Sequence, residues 1–346
     1  MPQTTRNCSS RLSLSWIIAV TAALLLLCSC THQEEHPDTL RVGVALYAQD
    51  DTFISSILQH LEPMAQEAEE RTGMKITLSI ADGRSNQTTQ LEQIDRFLSR
   101  DYDVLCVNIV DRTAAAVLID KAEAAGVPLI FFNRQPVEED IQRWEQVYYV
   151  GAKAAEGGAL QGQLVLDAWQ NHQEVLDRNG DGILQYAILE GEPGHQDTLL
   201  RTEHCVKVLT DAGVEVEKLA SESANWNRGQ AMGRTTQWLE EFGGEIEVIF
   251  SNNDDMALGA IDAFKSAQLH PLPLIVGIDA TAPALEAVDR GELYGTVLNN
   301  SHGIAQALMD LSLALSAGTD PSEAVTLENE HYVWLPYRQV TKDSLP

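Results

Sequence analysis

The residues best suited to a defined chemistry sit in one short loop, Asp177-Arg178-Asn179-Gly180-Asp181-Gly182-Ile183-Leu184-Gln185. Oxygen-bearing side chains fall at its positions 1, 3, 5 and 9. Gly182 stands sixth, where an EF-hand loop turns sharply, and Ile183 stands seventh, where the backbone carbonyl is the ligand. Ca²⁺ is a hard cation that takes about six to eight oxygens. The spacing therefore predicts a structural Ca²⁺ site built from Asp177, Asn179, Asp181, Gln185 and the carbonyl of Ile183. One part is missing. An EF-hand closes with a bidentate Glu at position 12, and Ile188 stands there. Either the last ligand comes from elsewhere in the fold or the site is weak. The plain alternative is an Asx-rich turn without metal.

A second set of polar residues follows short apolar runs: Asp50, Asp51 and Phe53; Asn108 and Asp111; Asn133 and Arg134; His195 and Asp197; Asn252, Asn253 and Asp254; Asp279; Asn299 and Asn300. An acid/base pair would need two carboxylates, whereas this set is rich in neutral amides mixed with carboxylates. Amides mixed with carboxylates suit hydroxyl groups, which both donate and accept. Taken singly, each Asn or Asp reads equally well as the cap of the helix that follows it.

These residues need elements to hold them. Leu40–Leu46, Lys75–Ile80, Val104–Val110 and Leu129–Phe132 read as strands. They alternate with helical patterns over Phe53–Thr72, Gln87–Arg100 and Ala114–Ala125, the last stopped by Gly126 and Pro128. The rhythm resumes with helix Gly157–Gln173, strand Gln185–Leu189, helix Gln196–Ala212 and strand Val214–Leu219. It continues with helix Gln230–Phe242, strand Ile246–Ser251, helix Met256–Ala267 and strand Leu274–Ile278. Helix Ala282–Gly291, strand Gly295–Leu298 and helix Ile304–Ala317 complete it. So many βα units exceed one comfortable sheet and predict two α/β lobes, each a doubly wound parallel sheet. Ligands of such sheets lie beyond the carboxyl ends of the strands, where the polar set falls.

The 346 residues carry a formal charge of −28, which disfavours nucleic acid and anionic membrane as partners. Arg6 and Arg11 precede an apolar run from Trp16 to Leu27, the layout of a secretory signal. That run is shorter than the roughly 20 residues of a spanning helix. It ends Leu27-Cys28-Ser29-Cys30 and resembles a bacterial lipobox, which implies lipidation at Cys30 after removal of residues 1–29 and a polar tether over 31–39. Cys106 and Cys205 lack CxxC spacing and read as buried thiols.

The loop without its twelfth ligand, the segment Leu189-Glu190-Gly191-Glu192-Pro193-Gly194-His195-Gln196-Asp197, and the stretches Val104–Asp111, Phe131-Phe132-Asn133, Tyr148-Tyr149-Val150-Gly151, Ile246–Asp254 and Gly295–Asn299 occur in one order. The combination resembles the galactose/glucose-binding proteins of bacterial sugar uptake, over Leu40 to Pro336. The resemblance implies the periplasmic binding protein type I fold, with three crossings between lobes, near Gly126–Pro128, Asn299–Ser301 and Leu335–Tyr337. The N-terminal lobe would then be 40–126 plus 301–334. The C-terminal lobe would be 127–299 plus 336–346 and would carry the calcium loop. It implies Glu247 as the borrowed Ca²⁺ ligand. It implies a monosaccharide site in which Asp51, Asn108, His195, Asp197, Arg201, Asn253, Asp279 and Asn299 hydrogen-bond the hydroxyls, with Asp51 at the 4-hydroxyl, between the faces of Phe53 and Trp226. It further implies a non-enzymatic monomer outside the cytoplasm that delivers glucose or galactose to an ABC permease, with a chemoreceptor as a further partner; a pentose or a methyl galactoside is the alternative ligand. With the cysteines placed in different lobes, both would stay reduced. No GxSxG, zinc motif or phosphate loop supports a hydrolase, and the acidic balance argues against a sugar-responsive repressor. Arg112 departs from the family, standing where Pro is usual after Val110-Asp111.

Overall fold

The computed structural model describes residues 39–345. The signal segment, Cys30 and most of the tether lie outside the described residues. Two six-stranded sheets organise the chain. The first holds β1 (Thr39–Leu46), β2 (Lys75–Asp82), β3 (Val104–Val107), β4 (Leu129–Phe132), β5 (Val147–Gly151) and β11 (Tyr332–Trp334), in the order β11-β5-β4-β3-β1-β2. The second holds β6 (Leu184–Glu190), β7 (Val216–Ser223), β8 (Val248–Ser251), β9 (Leu274–Val276), β10 (Gly295–Leu298) and β12 (Arg338–Thr341), in the order β12-β10-β9-β8-β6-β7. All neighbouring strands run parallel except β12, which is antiparallel to β10.

The inner parallel strands β3, β4, β5, β8 and β9 are buried on both faces, which is why these runs are almost continuously apolar, whereas the edge strands β2 and β7 are only partly buried. In the first sheet Val42, Val44, Leu46 and Cys106 face one cluster, with helices Thr52–Thr72 and Ser301–Ala317. Ala45, Leu105 and Val107 face the other, with helices Gln87–Leu98 and Ala115–Ala125. The second sheet repeats the pattern: Tyr186, Ile188, Val248 and Phe250 on one side, Ala187, Leu189 and Ile249 on the other.

One expected boundary is wrong. The first crossing does not fall at Gly126–Pro128, because β4 pairs with β3 (Leu105 opposite Leu129) and β5 pairs with β4. The chain leaves the first sheet only after Gly151 and enters the second lobe along helix Ala154–Leu176. Helix stop signals at Gly126 and Pro128 mark the end of a helix, not of a lobe. The first lobe is therefore 39–151 with the returning helix Ser301–Ala317 and β11. The second runs from Ala154 to Leu298 and adds β12.

In each sheet the strand order reverses once, between β1 and β3 and between β6 and β8. A crevice opens beyond the strand ends at such a switch point. The two crevices face each other, and the residues after β1, β6 and β8 meet there.

Candidate functional site

A cavity of about 340 Å³ lies between the lobes, near the lower end for small-molecule sites. It is lined by Tyr47, Asp51, Phe53, Asn133 and Arg134 from the first lobe and by His195, Asp197, Arg201, Trp226, Asn253 and Asp279 from the second. Eight of the ten residues expected at a sugar site are thus brought together from separate strand ends.

The structure shows why single-residue readings left two roles open. Asp51 caps helix Thr52–Thr72 by accepting from the Ile54 N–H at 2.9 Å, and Asn253 caps helix Asp254–Ser266 through the Met256 N–H at 3.0 Å. His195 caps helix Gln196–Asp211 through Nδ1, which accepts from the Asp197 N–H at 3.1 Å. Capping and cleft lining are the same placement, because a helix that starts at a strand's carboxyl end points its N-cap into the crevice.

The cap also fixes the chemistry of His195. With Nδ1 accepting, the ring proton sits on Nε2 as a donor. Burial, followed by the charges of Arg134, Arg201 and Arg112, pushes its pKa well below the usual value, so the ring is neutral at physiological pH. Asp197 pairs with Arg201 at 2.9 Å, both nearly fully buried. Burial pushes the Asp197 carboxyl up while the Arg201, Arg134 and Arg112 charges oppose it. Arg201 also donates to the Asn252 carbonyl at 2.8 Å and to the Tyr337 hydroxyl at 3.1 Å. Gly158 lets this helix approach, since a Cβ there would come within 2.8 Å of the Arg201 Cα.

Several buried atoms in and just behind the cleft have unused capacity. Arg201 Nε, Trp226 Nε1 and Asn299 Oδ1 are buried with no hydrogen-bond partner among the described residues. An orphan of this kind costs about 1–3 kcal/mol unless a partner arrives. Asn133, Trp226 and Asp279, all lining the cavity, hold positive φ of 60°, 63° and 123°. Non-glycine residues in such conformations cluster at ligand clamps.

Asn108 and Asn299 are not on the cavity wall. Asn108 is fully buried, accepting from the Tyr47 N–H at 3.4 Å and donating to the Phe132 carbonyl at 3.0 Å and to Asn133 Oδ1 at 3.2 Å. It ties β1, β3 and β4 together behind the site. Asn299 lies one layer back, its Nδ2 donating to Asp279 Oδ1 at 3.3 Å. Burial holds the Asp279 carboxyl well above the usual range, with Arg201 opposing. Tyr47, Asn133 and Arg134 are the wall residues not singled out as ligands from the sequence. Asn133 and Arg134 are visible there only as strand-end polar residues, and Tyr47 as the apolar end of β1.

The loop Asp177–Gln185 can be tested against the cation its spacing predicts. Among the described residues no three His, Cys, Asp or Glu side chains converge to form a metal cluster by themselves. Amide and carbonyl oxygens must complete the set, as the spacing requires. Asp177 accepts from the N–H groups of Gly180, Asp181 and Gly182, which folds the loop around its carboxylate. Glu247 is only 1% exposed and clasps both ends of the loop. It accepts from the Arg178 N–H at 2.5 Å and the Gln185 N–H at 3.1 Å. Burial raises its pKa, and Asp177 and Asp181 add repulsion. The amides of Asn179 and Gln185 both point Nδ2 or Nε2 at Asp181 Oδ2, at 2.9 and 3.0 Å. Rotating each amide by half a turn would replace two N–H donors with two oxygens. The donor set fits a hard cation, with Glu247 at the position left open by Ile188.

Cys106, in β3 of the first lobe, and Cys205, on helix Gln196–Asp211 of the second, are buried free thiols. Burial pushes both up to about 12. Among the described residues no helix is long and apolar enough to cross a membrane.

The family model for a periplasmic binding protein domain matches residues 42–320. The D-galactose/methyl-galactoside binding periplasmic protein MglB of Haemophilus influenzae is 38% identical over 307 residues, covering 88% of this chain and 90% of that protein. A putative rhizopine-binding protein of Rhizobium meliloti is 31% identical, covering 95% and 97%. Among solved structures, an ABC transporter solute binding protein from Bacillus halodurans with bound myo-inositol superposes with a TM-score of 0.73 at 26% identity, covering 91% and 98%. Two parallel-sheet lobes, a cleft at both switch points and these matches place the chain in the family of periplasmic binding proteins, which bind substrates for transporters and are not enzymes.

Proposed function

We propose that the protein binds a hexose, D-galactose or D-glucose, in the interlobe cleft and delivers it to an ABC-type permease on the outer side of a membrane. The observation that carries this reading is the cavity itself, whose wall combines Phe53 of one lobe and Trp226 of the other with polar groups from both. A pyranose has flat C–H faces for the aromatics and a hydroxyl rim for Asp51, Asp197, Arg201, Asn253 and Asp279. His195 Nε2–H, Arg201 Nε and Trp226 Nε1 supply donors. The carboxylate of Asp51 accepts from a 4-hydroxyl in either epimer, which accommodates both sugars. The similarity to MglB supports galactose, whereas relatives whose names specify rhizopine or xylitol show that the fold carries other polyols.

The loop Asp177–Gln185 with Glu247 holds Ca²⁺ as a structural ion of the second lobe. The cation would neutralise carboxylates already drawn together and take up the oxygens of Asn179, Gln185 and the Ile183 backbone. Cys30 carries the lipid anchor, and the permease and a chemoreceptor read the closed form. Titration calorimetry of residues 31–346 with galactose, glucose, methyl galactoside, xylose, ribose and myo-inositol tests the sugar. Heat with galactose or glucose well below the others' concentrations is expected; heat only with a pentose or inositol overturns the assignment.

A further inference from the structure

Among the described residues one ion pair spans the cleft. Arg134 follows β4 in the first lobe, and its side chain is 5% exposed. Its Nη1 donates to the Val110 carbonyl at 3.1 Å in its own lobe. Across the cleft Nη1 meets Glu192 Oε2 at 2.9 Å and Nη2 meets Oε1 at 3.0 Å. This fork-to-fork geometry is the strong form of a charge-assisted contact. Glu192 is 30% exposed, so the pair sits at the cleft mouth, shielded on the arginine side.

Both ends of the pair reach the ligand cavity. The Arg134 guanidinium lies 3.5 Å over the Tyr47 ring. The Tyr47 hydroxyl donates to Asp51 Oδ2, whose other oxygen is the helix cap. On the second lobe, Glu192 stands between Gly191 and Pro193. Gly191 backs directly onto the Trp226 indole, where a Cβ would overlap the ring, and its N–H donates to Asn252 Oδ1 at 3.1 Å. The route Asp51–Tyr47–Arg134–Glu192–Gly191–Trp226 thus links a hydrogen-bonding group of one lobe to an aromatic platform of the other.

We propose that Arg134 and Glu192 form a latch that sets how long the ligand stays in the cleft. They position Asp51 and Trp226 and hold the lobes together, beyond the contacts the sugar itself makes. The inference rests on the cleft being the ligand site. Two hydrogen bonds also cross the mouth, from Thr52 Oγ1 to the Asp255 carboxylate Oδ2 at 2.6 Å and from Gln196 Nε2 to Gln135 Oε1 at 2.8 Å. Neither joins two opposite charges, and neither touches the Tyr47–Asp51 pair. Truncating one partner of a hydrogen-bonded interfacial charge pair acts mainly on dissociation.

The test uses Glu192→Ala and the isosteric Glu192→Gln, which keeps the test open should the first not fold. Glu192 lines the mouth and not the ring cavity, so direct sugar contacts remain. Stopped-flow tryptophan fluorescence with galactose should show dissociation faster by about tenfold and association changed by less than about twofold. High salt should speed dissociation from the wild type and leave Glu192→Ala unaffected. Adding Arg134→Gln to Glu192→Ala should cost less than Arg134→Gln costs alone. Dissociation within about twofold of wild type in both Glu192 variants overturns the latch. If the wild type binds no hexose, the sugar assignment falls and small-angle scattering decides the latch: a larger radius of gyration in Glu192→Ala supports it, and identical radii overturn it.

Discussion

Replacing Gly191 by Ala should weaken the site without substituting any residue that contacts the ligand. A Cβ at this position overlaps the Cη2 and Cζ2 edge of Trp226 and comes within 2.5 Å of Thr198 Oγ1. The indole cannot absorb the overlap by a small shift. Its backbone is pinned in the left-handed region together with Asn225, and the Asn253 side chain holds the Trp226 carbonyl at 3.3 Å. Its face packs edge-on against His195 at 5.2 Å between centroids. The ring must therefore swing out of the cavity. Covering about two C–H groups of a pyranose is worth about 1.5 kcal/mol at about 0.8 each. The aromatic contact adds about 0.5–1.5 kcal/mol. A loss of about 2–3 kcal/mol raises Kd by about 30–160-fold. Overpacking costs about 1–3 kcal/mol when nothing can move. A ring at the cleft can move, so the melting temperature should fall by only a few degrees, at roughly 2–4 °C per kcal/mol. Calorimetry gives the affinity, and tryptophan emission reports the displaced ring. Galactose binding within about threefold of wild type, with the fold intact, would refute the argument that Gly191 holds the platform.

Two further outcomes follow from the charges. Chelating Ca²⁺ should lower the melting temperature, since a cation at about 100 times its Kd stabilises by about 2.7 kcal/mol. Glu247→Gln should start lower and no longer respond; an unchanged melting temperature in the wild type would show that the loop holds no stabilising cation. Asp254 is buried beneath Thr281 and Thr296, and burial raises its pKa from 3.8 to about 7. The folded state binds that proton more tightly than the unfolded chain. Its stabilisation is complete below the unfolded value near 3.8 and is lost as pH rises through about 7. Thermal melts from about pH 4 to 8 should show Asp254→Asn falling less steeply than wild type, and parallel slopes would contradict the assignment.

The chain's own pattern determined what is local. Apolar runs alternating with amphipathic stretches specified βα units and two lobes, because strand and helix periodicity are properties of short windows. The oxygen alternation from Asp177 to Gln185, and the gap at Ile188, were equally readable, because a loop's ligand spacing is written in consecutive residues. Asp51, His195 and Asn253 were found for a related reason: a strand-end polar residue is also the N-cap of the next helix. Tertiary structure decided the rest. Whether Leu129–Phe132 belongs to the first lobe depends on its pairing with β3, and a Gly and a Pro before it say only that a helix has ended. Asn108 and Asn299 carry the same sequence signature as the lining residues, yet only the folded structure shows their amides bonded to Asn133 and Asp279 of the wall. Arg134 and Glu192 are 58 residues apart. No window of sequence joins them, and only the facing of two sheets at their switch points brings the guanidinium over Tyr47 and onto a carboxylate of the opposite lobe.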